Sequence, residues 1–481
     1  MTARHGAAHH GADWRAQRRV RLDYTNLLAA AVGAENGVSE SELGAMAPRA
    51  AAAVSRLQQM RTSGQVEWLD LPYQREVAEQ VVSYADGVAA RCDAFVVLGI
   101  GGSALGAIAL QTALRPLFYN QLRSAQRRRR PRVYVLDNVD PDFVAAALGL
   151  LDPRRTVFNV VTKSGSTAET MAQLVIARER LRAVLGEETA EHIVATTDPE
   201  HGDLRKLAEA EGYHTFSIPP TVGGRFSVLS PAGLLPAAVS GIDVHELLAG
   251  AAEADGYCRD DDLWVNPALF NATAQYLLYQ RGKRITVMMP YSQRLRDLAG
   301  WFRQLWAESL GKTKTVDGKI VSIGPTPVQA LGVTDQHSQV QLYMDGPADK
   351  VFTFIGVDRF DETVRIPAAG LGRSSLDYLG GHTLNELINA ERLATTLALT
   401  ANHRPSCTFL LPEVCPFTVG QLLYVLEVQT ALIGFLFGID PFNQPGVEAG
   451  KVATYALLGR PGFEAQAAEI ARQIGAPRQM I

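Results

Sequence analysis

Between residues 94 and 198 four short apolar runs alternate with helical patterns. The runs are "AFVVLGI" (94–100), "RVYVLD" (132–137), "TVFNVVT" (156–162) and "HIVATTD" (192–198); "ALGAIALQTALRPLF" and "AETMAQLVIARERLRAVLG" are among the helices between them. Strands that are apolar throughout are buried on both faces, and short links through helices make parallel pairing the solution. The alternation predicts an open, doubly wound α/β layer. It restarts later, where "RITVMMP" (284–290) and "KVFTFIGV" (350–357) read as strands and "LRDLAGWFRQLWAESLG" as a helix. At 481 residues the chain exceeds the size at which one core stops growing, so two α/β domains are expected, divided within 240–265. Residues 20–90 and the region from about 380 read as mostly helical. "VTDQHSQVQLYMDG" reads as a polar turn at His337 followed by an alternating strand.

Composition narrows the partners. A formal net charge of −4 gives no electrostatic footing for nucleic acid. The one basic run, "RSAQRRRRPRV" (123–133), lies between a helix and a strand and reads as a solvated loop. Cys92, Cys258, Cys407 and Cys415 form no CxxC pair and no zinc spacing, which fits a reducing cytosol. The N-terminal "MTARHGAAHHGADWRAQRR" lacks the apolar segment of a secretory signal. The longest apolar stretch, "ALIGFLFGI" (431–439), is too short to span a bilayer. A soluble, cytoplasmic protein with neither nucleic-acid nor membrane partners is expected.

The strand ends carry the chemistry. The third run stops at Thr162 and continues as Lys163, Ser164, Gly165, Ser166 and Thr167; the first ends in Gly99, Gly101, Gly102 and Ser103. Ligands of open parallel sheets gather at the carboxyl ends of strands. Hydroxyls, free backbone N–H groups and a positive helix N-terminus there make a compact anion site, suited to one terminal phosphate. A helix N-cap explains one such hydroxyl, not five hydroxyl or ammonium groups over six positions. The string from Gly99 to Ala104 also satisfies the G-x-G-x-x-A dinucleotide fingerprint, and Asp137 ends the next strand, though farther on than the ~20 residues usual for a ribose-binding acid. On that string alone nicotinamide binding stays a rival. "GKT" at 311–313 is no P-loop, because Trp306 stands where that motif needs glycine.

Other polar groups are placed against local preference. Arg225 follows two glycines in "VGGRFSVLSPAGLLP", where backbone can approach a ligand. Glu308 sits in the last turn of a helix, opposing its dipole, with Lys312 four residues on and able to pair with it. His337 lies in a polar turn; Gln444 and Lys451 flank a Pro-Gly break. Each alone has a structural explanation.

Together, "GIGGSALG", "VTKSGSTAET", "GGRFSVLS", "AESLGK", "TDQHSQ" and "NQPGVEAGK", in this order, resemble the phosphoglucose isomerase family, from "RLDYTNLL" to "GVEAGKVAT". The resemblance implies an α/β fold of two sugar-isomerase (SIS) type doubly wound domains with parallel-sheet cores flanked by helices. The implied division is a helical N-terminal segment 1–90, domains 91–245 and 246–440, and a C-terminal helical segment 441–481. It implies reversible isomerisation of glucose 6-phosphate and fructose 6-phosphate through an enediolate, as in glycolysis and gluconeogenesis, by a homodimer without metal or organic cofactor. It assigns the substrate phosphate to Ser103, Thr162, Ser164 and Thr167 with Lys163 close by, and the sugar to Gly102 and Gln444. Glu308 becomes the base, Arg225 the group that stabilises the enediolate, and His337, from the neighbouring subunit, and Lys451 the ring-opening pair. Two positions depart from the family pattern: Leu310, where animal enzymes carry Asn, and Ala104, where Asp is frequent; neither is a catalytic group. A dual isomerase that also accepts mannose 6-phosphate, a non-catalytic sugar-phosphate sensor and a nicotinamide dehydrogenase remain the alternatives on sequence.

Overall fold

A computed structural model describes residues 11–368, 375–475 and 479. Its first strand, β1 (Arg21–Asp23), belongs to a sheet completed far along the chain. Then come β2 (Ala94–Leu98), β3 (Arg132–Leu136), β4 (Thr156–Val161), β5 (Ile193–Thr197) and β6 (His214–Ser217), which form one sheet in the order β3-β2-β4-β5-β6. All its pairings are parallel. Every residue of β2 and β4 is buried, as strands covered on both faces require.

The second sheet contains β7 (Ile285–Pro290), β10 (Thr326–Gln329), β11 (Lys350–Arg359) and β12 (Ser406–Glu413), ordered β1-β12-β11-β7-β10. It is parallel except for β1, which caps β12 antiparallel. An antiparallel ribbon of β8 (Lys312–Lys314) and β9 (Ile320–Ile323) stands apart. In both sheets the chain lays its first parallel strand, places the second on one side and crosses to the other for the third. Each sheet therefore has a switch point where neighbouring strand ends part, β2/β4 in one and β7/β11 in the other.

The sheets share a core built round the helix Pro416–Leu436, in which all residues from Phe417 to Leu436 are buried. It packs on the helices Val244–Cys258, Pro267–Gln280 and Arg296–Leu310. The crossing with Val244–Cys258 is close because each helix presents a glycine to the other's backbone. A Cβ on Gly250 would meet the Phe417 carbonyl oxygen at 1.9 Å, and one on Gly420 that of Leu247 at 2.0 Å. At this crossing Asp255, 1 % exposed, accepts from Arg61, Tyr73, Tyr424 and Arg259. Burial pushes its pKa up, but these donors outweigh burial and the net shift is downward.

Some elements differ from the sequence expectation. The region 20–90, read as helical, contributes β1, and the stretch from 380 contains β12. Residues 340–345, read as a strand, form the helix Val340–Asp345: Val340, Tyr343 and Met344 turn to one apolar cluster, a helical spacing that the alternating pattern hid. The helix Pro416–Leu436 is long and apolar enough to cross a membrane, although its most apolar window is wholly buried inside the protein. In the basic run Arg127 is buried and donates Nε to the Arg130 carbonyl at 3.1 Å, while Arg123, Arg128 and Arg129 are exposed.

Candidate active site

The site lies at the β2/β4 switch point. After β2 the chain turns through Gly101, at φ +57°, into the helix Gly102–Leu114. A Cβ on Gly101 would stand 2.8 Å from Gln304 Nε2, and one on Gly102 2.2 Å from the Gly224 carbonyl carbon. The close approach that Gly102 permits is thus made by the protein's own Gly224–Arg225 backbone, where a dinucleotide would need it for pyrophosphate. Ser103 sits in the first turn of that helix; its N–H donates to the Ile100 carbonyl at 3.2 Å and that of Ala104 to the Gly101 carbonyl at 2.9 Å.

After β4, residues 162–167 form a loop leading into the helix Ala168–Leu185. Thr162 and Thr167 hydroxyls bond each other at 2.9 Å across its mouth, and Ser166 leans on Ser164 at 3.4 Å. The Lys163 ammonium turns away, donating to the carbonyls of Pro220 (2.8 Å) and Val222 (3.0 Å), which leaves one of its three donors without a partner among the described residues. Burial lowers its pKa. This anchor joins the hydroxyl loop to the segment that carries Arg225. Tyr455, on the helix Glu448–Leu457, adds another by donating to the Ser166 carbonyl at 3.2 Å.

Arg225 sits in the 3-10 turn Gly224–Phe226 and is 2 % exposed, not on the surface. Its Nε donates to Ser309 Oγ (2.7 Å), Nη1 to Gln444 Oε1 (2.8 Å), and Nη2 to the carbonyls of Pro441 (2.6 Å) and Asn443 (3.1 Å). Nη1 also faces Glu308 Oε2 at 3.4 Å. Burial pulls the guanidinium pKa down, and Glu308 and Asp440 push back. The acceptors are neutral apart from Glu308, so the positive charge is oriented without being cancelled.

Glu308 lies on the last turn of Arg296–Leu310, with its side chain about a third exposed. Gln304, one turn earlier, donates to Oε1 at 2.9 Å. The amide oxygen of Gln304 is buried without a partner among the described residues. Lys312 does not pair with the carboxylate. Its Nζ donates to the backbone carbonyls of Glu308 (2.5 Å) and Asn443 (2.9 Å), which caps the helix end and leaves the acid available. Burial brings the Lys312 pKa down to about 8.

The remaining candidates stand outside this cluster. His337 ends the turn Thr334–His337, is exposed, and has no side-chain hydrogen bond or ion pair among the described residues. Lys451, in the first turn of Glu448–Leu457, is half exposed and pairs with Glu448 at 2.8 Å. Among the described residues no three His, Cys, Asp or Glu side chains converge to hold a metal ion. Sequence reasoning missed Ser309 and Gln304. Only Gln304 left a signal, its spacing four residues before Glu308 on one helix face.

The chain resembles known proteins over most of its length. The family model "Phosphoglucose isomerase" matches residues 73–469. The chain is 48 % identical to a glucose-6-phosphate isomerase of Carboxydothermus hydrogenoformans, over 96 % of this chain and 99 % of the relative. It is 46 % identical to that of Rubrobacter xylanophilus, over 93 % and 99 %. Among solved structures, a hypothetical protein from Thermus thermophilus superposes with a TM-score of 0.81 at 39 % identity, covering 92 % of this chain and all of the other. A glucose-6-phosphate isomerase from Chlamydia trachomatis gives 0.70 at 25 % identity, covering 83 % and 77 %. Matched by the family model over most of its length and by relatives at 46–48 % identity over nearly all of it, the chain belongs to the phosphoglucose isomerase family.

Proposed function

We propose that this protein is an aldose–ketose isomerase that interconverts glucose 6-phosphate and fructose 6-phosphate. The observation that carries the reading is the Glu308 carboxylate, held by Gln304 and faced but not neutralised by a buried arginine. Moving a proton between adjacent carbons needs one carboxylate that takes and returns it, and a fixed cation beside the oxygen that becomes negative. Glu308 takes the proton from C2 and returns it to C1; Arg225 stands beside the enediolate oxygen. Ser103, Thr162, Ser164 and Thr167, with the remaining donor of Lys163, hold the phosphate. That contact supplies binding energy remote from the reacting carbons. Gly102 and Gln444 line the sugar.

Ring opening falls to His337 and Lys451. The exposure of His337 and its lack of any bond to the Glu308 cluster support its entering the site from a second subunit of a homodimer. Four free cysteines support a cytoplasmic setting. The reading requires neither a metal nor an organic cofactor.

The test is the conversion of fructose 6-phosphate by wild type and by Glu308→Gln, both prepared without added metal. Wild type should turn over. The variant should lose about a thousandfold in kcat while still binding a phosphosugar inhibitor. An inactive wild type would overturn the reaction assignment, and an active variant would move the base elsewhere.

A further inference from the structure

The second sheet has its own switch-point crevice, at the other end of the molecule's central helix pair. Gly102–Leu114 and Arg296–Leu310 run antiparallel. At one end Gly101 meets Gln304; at the other Thr112 Oγ1 donates to Asp297 at 2.6 Å and Arg294 Nε to the Ala113 carbonyl at 2.7 Å. Fourteen residues of helix separate Arg294 from Glu308, about 21 Å at the standard rise. At the Arg294 end, between the chain leaving β7 and the chain leaving β11, lies a cavity of about 580 Å³. That volume falls in the range of small-molecule sites.

The cavity has a polar end and an apolar body. Ser292, which directly precedes the helical turn Gln293–Leu295, lines it and is 3 % exposed. Its hydroxyl caps no helix and has no partner among the described residues. The first bond of that turn is Leu295 N–H to the Ser292 carbonyl at 3.0 Å, so the N–H groups of Gln293 and Arg294 lead a helical run continuing to Leu310 without intrahelical acceptors. Arg115, Arg294 and Arg359 line the cavity together with Asp361 and Glu362. Arg294 is locked by Asp361 (2.6 Å) and the Val414 carbonyl (3.1 Å), and Arg359 pairs with Glu413 (2.6 Å), so neither side chain competes for the Ser292 end. Leu117, Val357, Phe360, Leu384, Ile388 and Val414 form the rest of the wall. Sugar hydroxyls find few partners on such a wall.

We propose that this β7/β11 crevice is a second binding site, for a small organic carboxylate with an apolar body. The carboxylate sits on Ser292 Oγ and the N–H groups of Gln293 and Arg294; the apolar part lies against Phe360 and Ile388. The first sheet uses its switch point for a phosphate with hydroxyl loops, and the second uses the counterpart position for a less polar anion.

The experiment is ligand-observed NMR on the full chain with 3-phenylpropionate as the probe, under a saturating equilibrium mixture of the two hexose phosphates. Saturable binding in the millimolar range is expected, unaffected by the sugars. Ile388→Trp, which fills the cavity, should abolish it. Ser292→Ala and the uncharged probe 3-phenylpropanamide should each bind about tenfold more weakly, the loss of one charge-assisted hydrogen bond. Both variants should keep wild-type isomerase activity, which reports an intact fold. No saturable binding up to about 10 mM, competition by the sugars, equal affinity for the amide, or binding unchanged in Ser292→Ala would each overturn the assignment.

Discussion

Arg225 holds the hydroxyl of Ser309 at 2.7 Å but stands 3.4 Å from the carboxylate of the preceding residue, Glu308. The cation is fixed by a neutral neighbour and by backbone carbonyls from 441 and 443, so its position does not depend on whether Glu308 carries a proton. In the proposed reaction Glu308 can then change charge in each turnover beside a cation that stays still.

Arg225→Lys should therefore lose more than charge. A lysine cannot reach Ser309, Gln444 and the two carbonyls from one planar fork. We expect kcat to fall about a hundredfold with KM changed far less, the pattern of a group that acts mainly in the transition state. Steady-state kinetics on the two proteins check it; an unchanged kcat would remove Arg225 from the chemistry.

Gly102→Ala puts a Cβ 2.2 Å from the Gly224 carbonyl carbon, where only backbone can yield. It should lower stability by about 2 kcal/mol and displace the Arg225 turn, so activity falls as well. Gly149→Ala, also on a helix but with nothing within 4 Å of the new Cβ, should leave activity at the wild-type level. Thermal unfolding and kinetics on both variants separate the close approach from helix propensity.

Lys312 gives a pH signature. Burial lowers its pKa from 10.5 to about 8, so between those values the unfolded chain holds a proton that the native protein lacks. Stability should then rise with pH across that window, by at most about 3 kcal/mol. Below about 8 both states are protonated and the native state bears the whole cost of the buried charge. Denaturation of wild type and Lys312→Met at matched pH checks the difference, because Lys312→Met should lack this increment.

If His337 crosses between subunits, inactive Glu308→Gln and His337→Ala proteins should complement each other. Unfolding them together and refolding at equal amounts should restore roughly a quarter of wild-type activity, since half the dimers are mixed and each mixed dimer has one complete site. A mixture as inactive as its parents would place His337 within its own subunit's site.

The strands that line the first site were legible because each is apolar from end to end and stops at a polar turn. Those missed carry contrary signals. β10 reads "TPVQ", and its proline is tolerated because β10 is an edge strand. β12 opens with Ser406 and Cys407 in a region dominated by helical patterns. Within the site, Ser103, Thr162 and Thr167 could be read from their place after strands. The carbonyls of Pro441 and Asn443 could not, because any residue supplies a carbonyl and only the fold brings these two, more than 200 positions away, to Arg225.

The buried helix Pro416–Leu436 also bears on biosynthesis. The helices Val244–Cys258, Pro267–Gln280 and Arg296–Leu310 close their apolar faces against it, yet more than four hundred residues leave the ribosome before it does. Until then both halves of the nascent chain expose the surface that it will cover, which is the condition under which growing chains aggregate or engage chaperones. The longest buried helix of this protein is also its latest keystone.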